Sequence, residues 1–113
     1  MSHFTRSEFK CKCGSCGQDT VDFELLDILE RLRVHYGVPI TINSGNRCAA
    51  YNKKIGGSKN SQHVKSRAAD IVVDGVHPHR VYALLDTWYP DSYGMGRYEF
   101  FTHIDSRSVK ARW

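Results

Sequence analysis

Four side chains of this sequence could cooperate in metal chemistry: His63, Asp70, His103 and Asp105. His63 stands seven residues before Asp70 in Ser61-Gln62-His63-Val64-Lys65-Ser66-Arg67-Ala68-Ala69-Asp70. Asp70 interrupts a run otherwise made of Ala, Ile and Val, and a carboxylate in such a strand is costly to bury unless it is paired or bound to a cation. Further on, Phe101, His103 and Asp105 alternate with Ile104, so strand geometry puts the imidazole and the second carboxylate on one face. Two imidazoles and a carboxylate (His63, Asp70, His103) form a three-donor set that leaves a tetrahedral Zn²⁺ one open position for water. Catalytic zinc is held in this way, whereas structural zinc is closed by four protein ligands.

A second group is sulfur. Cys11, Cys13 and Cys16 crowd into a Cys-rich N-terminal arm at about residues 1–18, and Cys48 lies far off at the start of a helix pattern. Cys13-x-x-Cys16 has the spacing of a zinc knuckle, but no second C-x-x-C accompanies it. The four cysteines are read as structural, either as ligands of a second zinc or as two disulfides formed in an oxidising periplasm or virion. With Cys48 included, the cluster staples the arm to the segment around Arg47. His3, His35, His77 and His79 fall in a tail, a helix end and a turn, and read as solvated.

The elements that must position these groups follow from periodicity. Val21, Leu25, Leu29, Leu32 and Tyr36 recur at helical spacing, with Asp19, Thr20 and Asp22 offering caps and Gly37 with Pro39 as the stop. Val38, Ile40 and Ile42 alternate with polar residues and run as a strand into Ser44-Gly45-Asn46. Cys48, Tyr51, Asn52 and Ile55 share a face of a short helix that Gly56-Gly57 ends. The chain from Ser58 to Ser66 is polar and loop-like. Ala69, Ile71 and Val73 alternate in a strand closed by Asp74-Gly75, which leaves Asp70 mid-strand. Pro78 opens a helix whose stripe is Val81, Leu84, Leu85 and Trp88, and two or three antiparallel strands occupy Tyr93 to Trp113. The pattern predicts an α+β fold, an antiparallel sheet with helices packed on one face, forming a single domain over 1–113.

Composition narrows the setting. At 113 residues, 41% hydrophobic and 25% charged, the chain has the profile of an ordinary globular domain. No apolar run approaches the ~20 residues that span a bilayer, so membrane insertion is not expected, and the N-terminus lacks the apolar stretch of a secretory signal. The expectation is synthesis in the cytoplasm without an export signal. The net charge is +4, and between Glu30 and Asp70 there is no acidic residue while Arg31, Arg33, Arg47, Lys53, Lys54, Lys59, Lys65 and Arg67 all fall there. Such a region suits an anionic partner, an acidic wall polymer ahead of nucleic acid, or else is a solvated basic face.

Ser61-x-His63, Asp70 and His103-x-Asp105 together resemble the signature of the zinc D-Ala-D-Ala peptidases, a family of carboxypeptidases, dipeptidases and phage endolysins. The resemblance is closest to small phage and prophage members. It extends over His3-Phe4-Thr5-Arg6-Ser7-Glu8-Phe9, Thr41-Ile42-Asn43-Ser44-Gly45-Asn46-Arg47-Cys48 and Gly94-Met95-Gly96-Arg97-Tyr98 through Ala111-Arg112-Trp113. It implies a hedgehog- and lysostaphin-like fold, Zn²⁺ held by His63, Asp70 and His103, and a substrate-binding or carbonyl-polarising Arg47 helped by Ser61. The implied activity is hydrolysis of peptidoglycan stem peptides containing D-amino acids by a monomer, acting on the wall after release or as part of a virion.

Metal-assisted hydrolysis also needs a proton acceptor. Relatives carry it shortly before the last zinc histidine, but Phe100 stands three before His103, which leaves Asp105 and Glu99. Asp105 shares the predicted face of His103 and is the narrow preference. It equally suits a group orienting the imidazole, or a ligand replacing the second histidine of a His-x-His motif. Two other functions fit the residues: a zinc-containing wall-binding module without turnover, and a nucleic-acid binder using the basic middle.

Overall fold

The structure is a computed structural model that describes residues 3–13, 15–57 and 61–113; Met1, Ser2, Gly14, Ser58, Lys59 and Asn60 lie outside the described residues. The start of the loop read from Ser58 and the charge of Lys59 therefore fall outside it.

A short 3-10 turn, Arg6–Phe9, precedes α1, Phe23–Tyr36. Asp22 caps α1 by accepting the Leu25 N–H at 3.3 Å, and Gly37 closes it at φ 66°, a left-handed conformation that costs glycine little. Leu25, Ile28, Leu29 and Leu32 are its buried stripe, each contributing roughly 1.5–3 kcal/mol by leaving water. The strand β1, Ile40–Ser44, follows, then α2, Ala49–Lys54, β2, Ala68–Val73, and α3, Pro78–Trp88. Three more strands end the chain: β3, Gly94–Arg97, β4, Thr102–Asp105, and β5, Ala111–Arg112.

The five strands form one sheet in the order β1-β2-β4-β3-β5. The expected antiparallel sheet is in fact mixed, because β5 returns alongside β3 in the parallel direction, pairing Gly94 with Ala111. The other pairs are antiparallel. Their register sorts the side chains into two faces, since directly opposed residues point to the same side. Ile40, Ile42, Ala69, Ile71, Val73, Met95 and Ile104 join the stripe of α1 and Val81 and Leu85 of α3 in one core. The α+β expectation with helices on one face describes this arrangement.

The other face carries a polar row. Ser44 opposes Asp70, Asp70 opposes His103, and His103 opposes Gly96. The register of β1 shifts between Ile42 and Ser44, and such a bulge re-aims the chain beyond it. Here it delivers Ser44, Gly45, Asn46 and Arg47 to the row.

Candidate metal centre

His63 enters from the loop before β2, and its orientation is set by one hydrogen bond. Its Nδ1 lies 2.7 Å from the carbonyl oxygen of Gly45. A carbonyl only accepts, so Nδ1 carries the proton and Nε2 presents a lone pair. Nε2 faces Asp70 Oδ2 at 3.3 Å. The backbone N–H of His63 donates to the Ser61 hydroxyl at 3.2 Å, and its carbonyl accepts the Arg47 N–H at 3.2 Å. The loop is thus tied to both the sheet edge and the start of α2.

His103 sits across β2 and β4 from Asp70, with Nδ1 2.9 Å from Asp70 Oδ1 and Nε2 2.8 Å from Asp105 Oδ2. Asp105 is fully buried and held by a fork from Arg107, Nε to Oδ1 and Nη2 to Oδ2, both at 2.8 Å. The N–H groups of Gly94 and Arg107 also donate to Oδ1 at 3.0 and 3.1 Å. A carboxylate so saturated with donors is ionised and accepts a hydrogen bond from the Nε2–H of His103, which leaves the Nδ1 lone pair facing Asp70.

Three donor atoms therefore converge, one each from His63, Asp70 and His103, all within 4.8 Å of one another. The three residues are buried. Two imidazole lone pairs aimed at one carboxylate are satisfied by a cation between them, a proton or a metal ion. The donor set, two nitrogens and an oxygen, suits zinc.

Where a proton rather than a metal ion fills that place, an imidazole N–H donates to Asp70, and the carboxyl and the imidazole shift in opposite directions. Burial alone would raise the Asp70 carboxyl, but hydrogen bonds from His103 and His63 outweigh it and hold it well below the usual carboxylate range. Burial would lower His103, yet its bonds to Asp105 and Asp70 raise it. Burial would likewise raise Asp105, and His103 and Arg107 hold it well below its ordinary value.

The donors lie in a cavity of about 520 Å³ lined also by Arg47, Ser61, Tyr98, Phe101, Arg107 and Trp113. Arg47 is anchored by Nη1 to Asn52 at 3.3 Å and Nε to Ser44 at 3.4 Å, with Nη2 3.6 Å from Asp70 Oδ2. Trp113 packs over His103, ring centroids 5.0 Å apart, and its Nε1–H donates to Tyr98 at 2.8 Å. This is possible because Gly96 has no side chain: a Cβ there would meet Trp113 Nε1 at 2.6 Å.

The two candidate proton acceptors both lie outside the cavity lining, and Asp105 stands where its equal alternative, orienting the His103 imidazole, would put it. Glu99 lies before β4 begins at Thr102, 70% exposed and 4.0 Å from His79, and does not line the cavity. Asp105 shares the face of His103 as read from the alternation, but it lies behind the ring, on the side away from Asp70. Ser61 and Arg47 do line the cavity. The four cysteines form a separate cluster. Of the histidines read as solvated, His3 pairs with Glu30 at 2.8 Å and His77 caps α3 through His79 N–H.

Two further residues, Arg107 and Asn46, support the site. Arg107 continues the alternation His103, Asp105, Arg107, a signal the sequence does contain. Asn46 is buried between the sheet edge and two loops, donating from Nδ2 to the carbonyls of Phe9, at 2.9 Å, and Thr20. Nothing in its sequence neighbourhood announces that. Among the described residues no helix is long and apolar enough to cross a membrane.

Comparison with protein families matches residues 2–105 to the family model described as Peptidase M15. Comparison with curated proteins gives no match.

Proposed function

Because the chain belongs to the Peptidase M15 family, metal-dependent peptidases, we propose that it is a zinc enzyme hydrolysing D-amino-acid-containing stem peptides of bacterial peptidoglycan. The observation that carries this reading is the convergence of His63 Nε2, Asp70 and His103 Nδ1 within one cavity beside Arg47.

His63, Asp70 and His103 would hold the ion. When bound, it supplies a Lewis acid for the scissile carbonyl and lowers the pKa of its water toward ~7. The chain's own residues do the rest. The Gly45 carbonyl and Asp105 fix the two imidazoles by accepting hydrogen bonds from their outward N–H groups, so each presents one lone pair inward. Asp105 is thereby a positioning residue, not a proton acceptor. Arg47 offers a guanidinium fork to a substrate carboxylate or carbonyl, pre-set by Asn52 and Ser44. Ser61, Tyr98 and Trp113 border the space a peptide would fill. The setting proposed is a phage or prophage protein that meets the wall after release or within a virion.

A second reading rests on a specific observation. Among the described residues that line the cavity, Asp70 is the sole carboxylate, and it is committed to the ion. A wall-binding module that keeps the metal without turnover would look like this. Mass spectrometry of peptidoglycan incubated with the zinc-loaded chain separates the two. Cleaved stem peptides that vanish on chelation support the enzyme; retained metal with intact peptides supports the module.

A further inference from the structure

Outside the cavity, Cys11, Cys13, Cys16 and Cys48 form a second cluster of metal-ligating side chains, and the reaction above uses none of them. Their four sulfur atoms all lie within 4.8 Å of one another, and all four are free thiols. A tetrahedral ion with metal–sulfur bonds of ~2.3 Å holds its sulfurs about 3.8 Å apart, a separation that fits within this limit for all four at once. In two disulfides each sulfur would have a single close partner; here each has three.

The backbone is arranged for sulfur that carries charge. The N–H groups of Ser15 and Cys16 donate to Cys13 Sγ at 3.4 and 3.3 Å. The Cys48 N–H donates to Cys11 Sγ at 3.3 Å, and the Tyr51 N–H to Cys48 Sγ at 3.4 Å. Such donors stabilise a thiolate more than a thiol. Lys12 and Lys54 line the small hollow of about 220 Å³ that Cys13 and Cys48 share. A divalent ion with four thiolates bears a net charge of about −2, which these ammonium groups offset.

From this geometry we infer a second metal site, a closed four-thiolate centre for zinc formed by Cys11, Cys13, Cys16 and Cys48, structural in role. With no position left for water it has no part in hydrolysis. Its effect is to clamp two segments distant in sequence. Cys48 follows Arg47 directly, and on the other side Phe9 O accepts the Asn46 N–H at 2.8 Å. The N-terminal arm is thus fastened on both sides of the Arg47 segment, by hydrogen bonds at Phe9 and by the ion at Cys48.

The test is metal analysis and native mass spectrometry of the full chain, purified with reductant and zinc, as wild type and as His63→Ala. Two equivalents in wild type and one in His63→Ala are expected. In cobalt-substituted His63→Ala the remaining ion should show thiolate-to-metal charge-transfer absorption, and a thiol-specific mercurial should release it. If the His63 site fails to bind, both proteins keep one thiol-bound ion, so failure of the catalytic reading is distinguishable. A His63→Ala chain with no metal, cobalt without the sulfur band, or wild type whose four cysteines are found in disulfides overturns the proposal. Because His63→Ala leaves all four cysteines intact, the result does not depend on whether a cysteine variant folds.

Discussion

His103 Nε2 and Asp105 Oδ2 lie 2.8 Å apart on the side of the ring away from Asp70, and Asp105 is itself gripped by Arg107. One carboxylate thus decides which nitrogen of His103 is free to ligate. Asp105→Asn keeps the shape but sets an amide N–H either at Oδ2, where His103 Nε2 and Arg107 Nη2 both donate, or at Oδ1, where Arg107 Nε and two backbone N–H groups donate. The first breaks the His103 bond, and the second leaves so many donors clashing that the first is favoured. Metal affinity at this site should fall ~10–100-fold, the usual cost of losing such a partner. Competition with a chromophoric chelator measures it, and unchanged affinity would remove Asp105 from the positioning role.

Gly94 opposes Asp105 across the β3–β4 ladder, and a Cβ there would sit 2.4 Å from both carboxylate oxygens and 2.5 Å from Arg107 Nε. Asp105 is fully buried and pinned at both oxygens, so its carboxylate cannot step aside. Gly94→Ala should therefore destabilise the fold by ~1–3 kcal/mol, the range for overpacking. It should also weaken metal binding in the same direction as Asp105→Asn. Urea denaturation checks the first, and a variant as stable as wild type would show that the strand can shift to admit the methyl.

Glu99 provides the contrast. Its side chain is 70% exposed and lies outside the cavity lining. Glu99→Gln should change stability by no more than about 0.5 kcal/mol. Turnover should likewise stay far from the ~10²–10⁴-fold loss that follows removal of a general base. A loss of that size in a peptidoglycan digest would return Glu99 to the role of proton acceptor.

Arg47→Lys keeps the charge and discards the fork that reaches Asn52, Ser44 and Asp70. One lost charge-assisted bond is worth roughly 1.5–3 kcal/mol, so kcat/KM should drop about 10–100-fold with metal content intact. Expression of the loss mainly in KM would mean that Arg47 binds the substrate carboxylate. Loss of metal instead would place Arg47 in support of Asp70.

How much of this was legible beforehand differs from residue to residue. Asp70 was readable because a charge inside an Ala-Ile-Val strand needs a partner, and His103 with Asp105 because alternation puts them on one face. The helices were readable from apolar spacing and from Gly37 and Pro78, while the cap of α1 was readable only as one of Asp19, Thr20 and Asp22. The parallel pairing of β5 was not, since its two residues carry no periodicity and their partners lie in β3. Nor was the side of His103 on which Asp105 falls: alternation fixes a face, but a ring nitrogen is chosen by contacts across strands. Glu99 would share the face of His103 only if the strand began that early, and periodicity does not give the start: β4 begins at Thr102, which leaves the carboxylate in solvent.

The most direct test of the account is anomalous diffraction at the zinc edge from crystals of the full chain grown with zinc. The prediction is a peak bonded to His63 Nε2, an Asp70 oxygen and His103 Nδ1, with His103 Nε2 still on Asp105. A map with no zinc among these three residues, or one in which Asp105 ligates the ion directly, would contradict it.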